Sequence, residues 1–170
     1  MFTIDYTVMV PVLDPPYPTD PPYPMDCPVD IVFVLDASDS IGTSDFGLMK
    51  LFLSQLVGGL DIDGGNTRVG IVTYSSNVIT NISLNAHSSV IGLQSAIASL
   101  SYSGGGTNTA AALAFVRTRM LTSAAGDRSN VPNIVVVLTD GQSIDTSATK
   151  VSVMWKLLYR TSVFQKQKQS

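Results

Sequence analysis

Two uninterrupted apolar segments, each leading into an aspartate, constrain the fold of this chain more than any other feature. Ile31–Leu35 is followed directly by Asp36, and Ile134–Leu138 is followed after one threonine by Asp140. Continuous runs of branched apolar residues of this length are typical of strands buried on both faces of a parallel sheet. The sequence therefore predicts an α/β domain with a doubly wound, mostly parallel sheet in which these two strands are neighbours.

The chain between these strands carries signals for helices and for a hairpin. Apolar residues at helical spacing predict one helix from about Asp45 to Val57 and another from about Ala110 to Leu121. Arg68–Tyr74 and Val78–Leu84 read as strands separated by three polar residues, a spacing that closes an antiparallel hairpin. The sheet should therefore carry one antiparallel edge strand. Ser88 stands where it could cap a further helix.

Composition divides the chain into three parts. Its 170 residues are 45% hydrophobic and 14% charged, which is typical of one globular domain. Eight of the nine prolines lie at or before Pro28, so residues 1–28 are predicted to be a stiff linker. We place the domain at 29–148 and a separate, basic tail at 149–170.

Charge and apolar length exclude some classes of function. All thirteen acidic residues are aspartates and lie before Ser147, against five basic residues in the same part of the chain. An acidic domain lacks the basic surface that would bind the phosphates of a nucleic acid. No apolar run approaches the roughly 20 residues of a membrane span, and residues 1–12 lack the pattern of a signal peptide. Cys27 is the one cysteine, so no disulfide can form within the chain.

Oxygen-bearing side chains are predicted to converge at one edge of this sheet. Asp36, Ser38 and Ser40 follow the first strand, and Asp140 follows the last. Thr107 follows three glycines at the start of a predicted helix, where backbone can approach a ligand closely. Ligands of open α/β sheets bind outside the carboxyl ends of the strands. Hydroxyls and carboxylates without histidine or cysteine indicate a site for a hard cation such as Mg²⁺.

The pattern Asp36-x-Ser38-x-Ser40, then Thr107, then Asp140-Gly141 resembles the metal-ion-dependent adhesion site of von Willebrand factor type A domains. The resemblance covers about residues 29–147, and its start is similar to A domains of matrilins, type VI collagen and invertebrate matrix proteins. In such domains a cysteine before the first strand often pairs with one after the last helix. The chain departs from the family after Asp140, because the expected last strands are missing, as in a truncated domain.

This resemblance implies a non-catalytic adhesion module. Ser38 and Ser40 would bind Mg²⁺ or Mn²⁺ directly, Thr107 directly or through water, and Asp36 and Asp140 through water. The remaining coordination position would take an acidic side chain of an extracellular matrix or cell-surface protein. The parent protein would then be secreted, and the sequon at Asn81 would be a candidate for glycosylation.

Two other classes of function remain open. An intracellular A domain of a protein-assembly complex would also fit a lone free cysteine. A Mg²⁺-dependent phosphatase or nucleotide-binding enzyme is the other alternative, but a haloacid-dehalogenase-like phosphatase needs an aspartate where this chain has Ser38. With one histidine and one cysteine, the chain also offers no catalytic triad.

Overall fold

The structure, a computed structural model, describes residues 28–140. Its elements occur in the order β1, α1, β2, β3, α2, α3, a π-helical turn, a 3₁₀ turn and β4. The strands are Val29–Asp36, Thr67–Tyr74, Val78–Ile82 and Asn133–Leu138, and the helices are Gly42–Val57, Val90–Ala98 and Thr109–Phe115. Residues 1–27 and 141–170 lie outside the described residues; they include all but Pro28 of the predicted linker and the whole of the predicted tail at 149–170.

The four described strands form one mixed sheet in the order β3-β2-β1-β4. Strand β1 pairs in parallel with β2 on one side and with β4 on the other, where Ile31 is opposite Ile134. Strand β3 is antiparallel to β2. These pairings confirm the predicted central strand, the predicted neighbouring strand and the antiparallel edge.

Apolar side chains bury both faces of this sheet, so the domain is doubly wound. On one face Phe33 and Leu35 pack with Phe46 and Leu53 of α1 and with Leu93 of α2. On the other face the side chains of β1 and β2 pack with α3 and the π-helical turn; this set is Val32, Val34, Val72, Tyr74, Ala112, Val116 and Met120. Because successive strand residues point to opposite faces, a strand covered on both sides must be apolar throughout.

The structure corrects several predicted boundaries. Helix α1 begins at Gly42 rather than Asp45, and α3 ends at Phe115, where a π-helical turn from Val116 to Met120 replaces the last α-helical turn. The side chain that caps α2 is Ser89, not Ser88, since Ser89 Oγ accepts the Gly92 N–H at 3.2 Å.

Strand β4 is less buried than its apolar sequence predicts. Ile134 is 44% exposed, and Val135 to Leu138 are half-buried, whereas Val32 and Val34 of β1 are fully buried. Among the described strands β4 has one neighbour and lies at an edge of the sheet. Burial of a strand depends on what covers it, which the strand's own sequence does not encode.

A buried ion pair closes the end of the sheet where β1 begins. Asp30 is fully buried, and its Oδ2 accepts the backbone N–H of Arg128 at 2.8 Å, while its Oδ1 accepts Arg128 Nε at 2.9 Å. Arg128 also donates to the carbonyls of Val29, Gly65 and Asn66 at 2.9–3.0 Å. This one side chain therefore joins β1 to the loop that precedes β2.

Candidate metal centre

The loop after β1 presents two serine hydroxyls beside a buried carboxylate. Asp36 and Ser38 are fully buried, and Ser40 is exposed. Asp36 Oδ1 accepts the backbone N–H of Ser38 at 2.9 Å, which turns the chain sharply at the end of the strand. Ser38 Oγ and Ser40 Oγ lie 3.1 Å apart. The alternating spacing in sequence thus brings both hydroxyls to the same spot.

The second oxygen of Asp36 accepts hydroxyl groups from neighbouring strands. Thr139 Oγ1 donates to Asp36 Oδ2 at 2.8 Å, and the Tyr74 hydroxyl lies 3.5 Å from the same oxygen. Burial, aided by the charge of Asp36, raises the pKa of Tyr74 to about 12, although the hydroxyl of Thr109 opposes this shift. The phenol is therefore protonated at neutral pH and remains a donor. These contacts hold Asp36 from β2 and from the residue that follows β4.

The glycine-rich loop before α3 is bound to the loop after β1. Gly104 N–H donates to Ala37 O at 3.0 Å, and Asp39 N–H donates to Gly105 O at 2.9 Å. Gly104 and Gly105 have φ angles of +68° and +97°, which glycine adopts without strain. The loop delivers Thr107, which is 8% exposed, immediately before Asn108, whose side chain caps α3.

Asp140 follows β4 and is exposed. Because β4 is parallel to β1, it ends at the same edge of the sheet as Asp36. The structure joins Asp36, Ser38 and Ser40 by direct contacts. Thr107 belongs to a loop bonded to the serine loop, and Asp140 is the chain neighbour of Thr139, which contacts Asp36. All five predicted residues therefore come from segments at one edge of the sheet.

This arrangement fits a hard divalent cation. Oxygen ligands about 2.1 Å from Mg²⁺ in adjacent octahedral positions lie about 3.0 Å apart. The 3.1 Å between the Ser38 and Ser40 hydroxyls is close to that separation. Across residues 28–140, no three histidine, cysteine or acidic side chains come together as a metal site. The oxygens that lie together at this edge are those of Asp36, Ser38 and Ser40.

Some residues that shape this edge were missed by sequence reasoning. Tyr74 and Thr139 contact Asp36, and Tyr102 donates its hydroxyl to Ser38 O at 3.3 Å. Ser76 Oγ accepts the N–H of Gly106 at 2.9 Å and supports the glycine-rich loop. Thr139 precedes Asp140, so its place beside Asp36 could have been inferred from the pairing of parallel strands.

Residues 30–164 match the family of von Willebrand factor type A domains. The chain belongs to this family. It is 43% identical over 118 residues to the collagen alpha-4(VI) chain of Mus musculus and 40% identical over 120 residues to matrilin-1 of Homo sapiens. The matched parts are 68% and 69% of this chain but 5% and 24% of those proteins. The predicted resemblance to A domains of collagen VI and matrilins is thereby confirmed.

Solved structures show the same fold. The A-domain chain is similar to proximal thread matrix protein 1 of the mussel byssus, with 26% identity and a TM-score of 0.69 over 75% of this chain and 34% of that chain. A second structure of that mussel protein, with a TM-score of 0.68, has a zinc-occupied adhesion-site motif. Within residues 28–140, no helix is both long and apolar enough to cross a membrane.

Proposed function

We propose that this A domain is a non-catalytic adhesion module that binds an acidic side chain of an extracellular matrix or cell-surface protein through Mg²⁺ or Mn²⁺. Ser38 and Ser40 would bind the cation directly, Thr107 directly or through water, and Asp36 and Asp140 through water. The matrix proteins among its relatives support a secreted parent protein.

The observation that carries this proposal is the pair of serine hydroxyls. Ser38 and Ser40 present their oxygens 3.1 Å apart, beside the buried carboxylate of Asp36. Both oxygens of Asp36 already accept hydrogen bonds from protein groups, namely the Ser38 N–H and the Thr139 hydroxyl. Asp36 is therefore fixed in orientation and suited to act indirectly, while the two hydroxyls supply direct ligands.

Neutral direct ligands explain why such a site would seek an acidic partner. When bound, the cation supplies a positive charge that an incoming carboxylate can coordinate. Serine and threonine hydroxyls bind without cancelling this charge. Burial of Ser38 and Thr107 fixes the positions of their loops before the partner arrives. The residues of this chain therefore position the cation, and its positive charge stays available to attract an anion of the partner.

A binding role also agrees with the side chains placed at this edge. The one histidine, His87, precedes α2, and the antiparallel direction of β3 carries that segment to the opposite end of the sheet. We therefore expect no turnover of phosphate esters or nucleotides. Metal-dependent turnover that Asp36→Ala abolishes would contradict the non-catalytic assignment.

The test uses the full chain and a synthetic peptide that carries one glutamate among neutral residues. We expect this peptide to bind in Mg²⁺, to be released by EDTA and to rebind when Mg²⁺ is restored. Thr107→Ala should weaken binding about tenfold, because loss of one supporting group of a metal site has effects of that order. Thr118→Ala is the matched control, since Thr118 is exposed and its hydroxyl donates to Ala114 O within its own helical segment.

Equilibrium dialysis with Mn²⁺ separates metal binding from partner binding. The proposal requires Thr107→Ala to lower Mn²⁺ affinity and peptide affinity together, with native circular dichroism. Peptide binding that survives both EDTA and Thr107→Ala would show that recognition uses another surface.

A further inference from the structure

A groove lies between the end of β3 and the π-helical turn, away from the proposed metal centre. Its volume is about 410 Å³, and its lining residues are Ser83, Thr118, Arg119, Thr122, Ala124 and Ala125. Strand β3 is antiparallel to β2 and so runs away from the edge of the sheet at which Asp36 lies. The groove, which begins where β3 ends, is therefore separate from the serine loop and from the glycine-rich loop.

The groove offers polar groups that the fold itself does not use. The Arg119 guanidinium and the Ser83 hydroxyl have no hydrogen-bond or ion-pair partner in the part of the chain that the structure describes. The hydroxyls of Thr118 and Thr122 donate to backbone carbonyls at 2.8 and 3.1 Å, so each oxygen keeps a lone pair that can accept. Ala124 adds an exposed methyl group. Such a mixture suits a ligand that carries hydroxyl and amide groups, as an N-acetylated sugar does.

Asn81, the asparagine of the glycosylation sequon, points to the same face of the sheet as the groove. It pairs with Val72, whose side chain packs in the cluster that contains the π-helical turn. Directly paired residues of neighbouring strands point to the same face, so Asn81 also points to that side. Asn81 is exposed, and Ser83 follows two residues later, about 7 Å along the chain. A sugar on Asn81 would therefore lie beside the groove.

We infer that this groove binds the first N-acetylglucosamine of a glycan attached to Asn81. The inference rests on the secreted parent protein proposed above, because such glycans are attached during secretion. The Arg119 guanidinium donates to oxygens of the sugar, the hydroxyls of Thr118 and Thr122 accept from it, and its acetyl methyl group packs on Ala124. The volume of about 410 Å³ lies within the range of ligand sites, roughly 300–1,000 Å³. A glycan held in this groove leaves the serine loop open to a partner.

The first test compares the melting temperature of the full chain with one sugar and with none. Secretion from a host that attaches high-mannose glycans, followed by endoglycosidase H, leaves one N-acetylglucosamine on Asn81, whereas Asn81→Gln carries no sugar. We expect the sugar to raise the melting temperature by about 3 °C, the shift expected of one added hydrogen bond in a domain of this size.

Groove variants show whether this gain depends on the groove. In Arg119→Ala the sugar should raise the melting temperature by less than about 1 °C, because its donor is lost. Arg117→Ala is the matched control, since Arg117 is also exposed and does not line the groove. Each variant is compared with its own Asn81→Gln form, so the direct effect of the arginine substitution on stability cancels. Equal gains in the two variants would overturn the inference.

A nuclear Overhauser contact locates the sugar directly. We expect one between the acetyl methyl group of the sugar and the methyl group of Ala124 in the chain with one sugar. Absence of this contact, or a secreted chain without a sugar on Asn81, would overturn the inference. Mn²⁺ affinity should be the same with and without the sugar, so any of these failures leaves the adhesion function standing. Loss of Mg²⁺-dependent peptide binding would refute that function and leave the gain in melting temperature unchanged.

Discussion

Arg128→Ala should be among the most destabilising single substitutions in this domain. Asp30 is fully buried, and Arg128 Nη2 lies 2.7 Å from its Oδ1. Removal of the arginine leaves a buried carboxylate that keeps one hydrogen bond, from the backbone N–H of residue 128. Breaking a buried ion pair by removing one partner costs about 3–5 kcal/mol.

Access of solvent decides where in the range of about 3–5 kcal/mol the loss for Arg128→Ala should fall. The Arg128 side chain is 18% exposed, so water can enter the space left by the alanine and solvate part of the carboxylate. The carbonyls of Gly65 and Asn66 that Arg128 bonds can also regain water, because the loop before β2 is largely exposed. We therefore expect a loss of about 3 kcal/mol in the free energy of unfolding, against about 5–15 kcal/mol for a typical domain.

Urea unfolding of the full chain, followed by circular dichroism, measures this loss. Arg68→Ala is the matched control, because Arg68 makes one hydrogen bond, to Gly126 O at 2.7 Å. We expect that substitution to cost about 1.5 kcal/mol, the lower end for a hydrogen bond made by a charged group. Arg128→Lys should give an intermediate value, and it keeps the test usable if the alanine variant does not fold. An Arg128→Ala variant no less stable than Arg68→Ala would refute the reasoning.

Two further predictions concern glycine geometry and glycosylation. Gly42→Ala meets no atom within 4 Å and should lose about 1 kcal/mol from its φ of +72°, whereas Gly126→Ala, at a φ of +91°, also meets the backbone N of Asn85 at 2.7 Å and should lose more stability; equal losses in thermal unfolding would contradict this. Asn81 is exposed on β3, so secretion from a eukaryotic host should add a glycosidase-sensitive mass that Asn81→Gln lacks; an unmodified secreted chain would contradict it.

The strands, and the edge of the sheet at which the candidate site residues lie, could be predicted because the sequence signals for them are strong and local. A continuous apolar run such as Ile31–Leu35 has few alternatives to a buried parallel strand. Two such strands that lead into aspartates must present them at one edge when they pair in parallel. The direct contact between Ser38 and Ser40 follows from their spacing and from the turn that Asp36 makes with Ser38.

Other features depend on contacts between distant residues and left no local pattern. Arg128 is 98 residues from Asp30, and a single arginine in a loop does not reveal its partner. Ser88 and Ser89 carry the same side chain, so the sequence alone does not show which of them caps α2; how the helix packs on the domain decides this. The exposure of β4 depends on its neighbours in the sheet, which the sequence of β4 does not specify.

The paired hydrogen bonds between the serine loop and the glycine-rich loop make these two segments mechanically one unit. The backbone N–H of Gly104 donates to the carbonyl of Ala37, and the backbone N–H of Asp39 donates in the opposite direction to the carbonyl of Gly105. A shift of either segment must stretch both of these hydrogen bonds or move the other segment with it. Grafting this site onto another sheet would therefore require both loops to be transplanted together, at their native lengths.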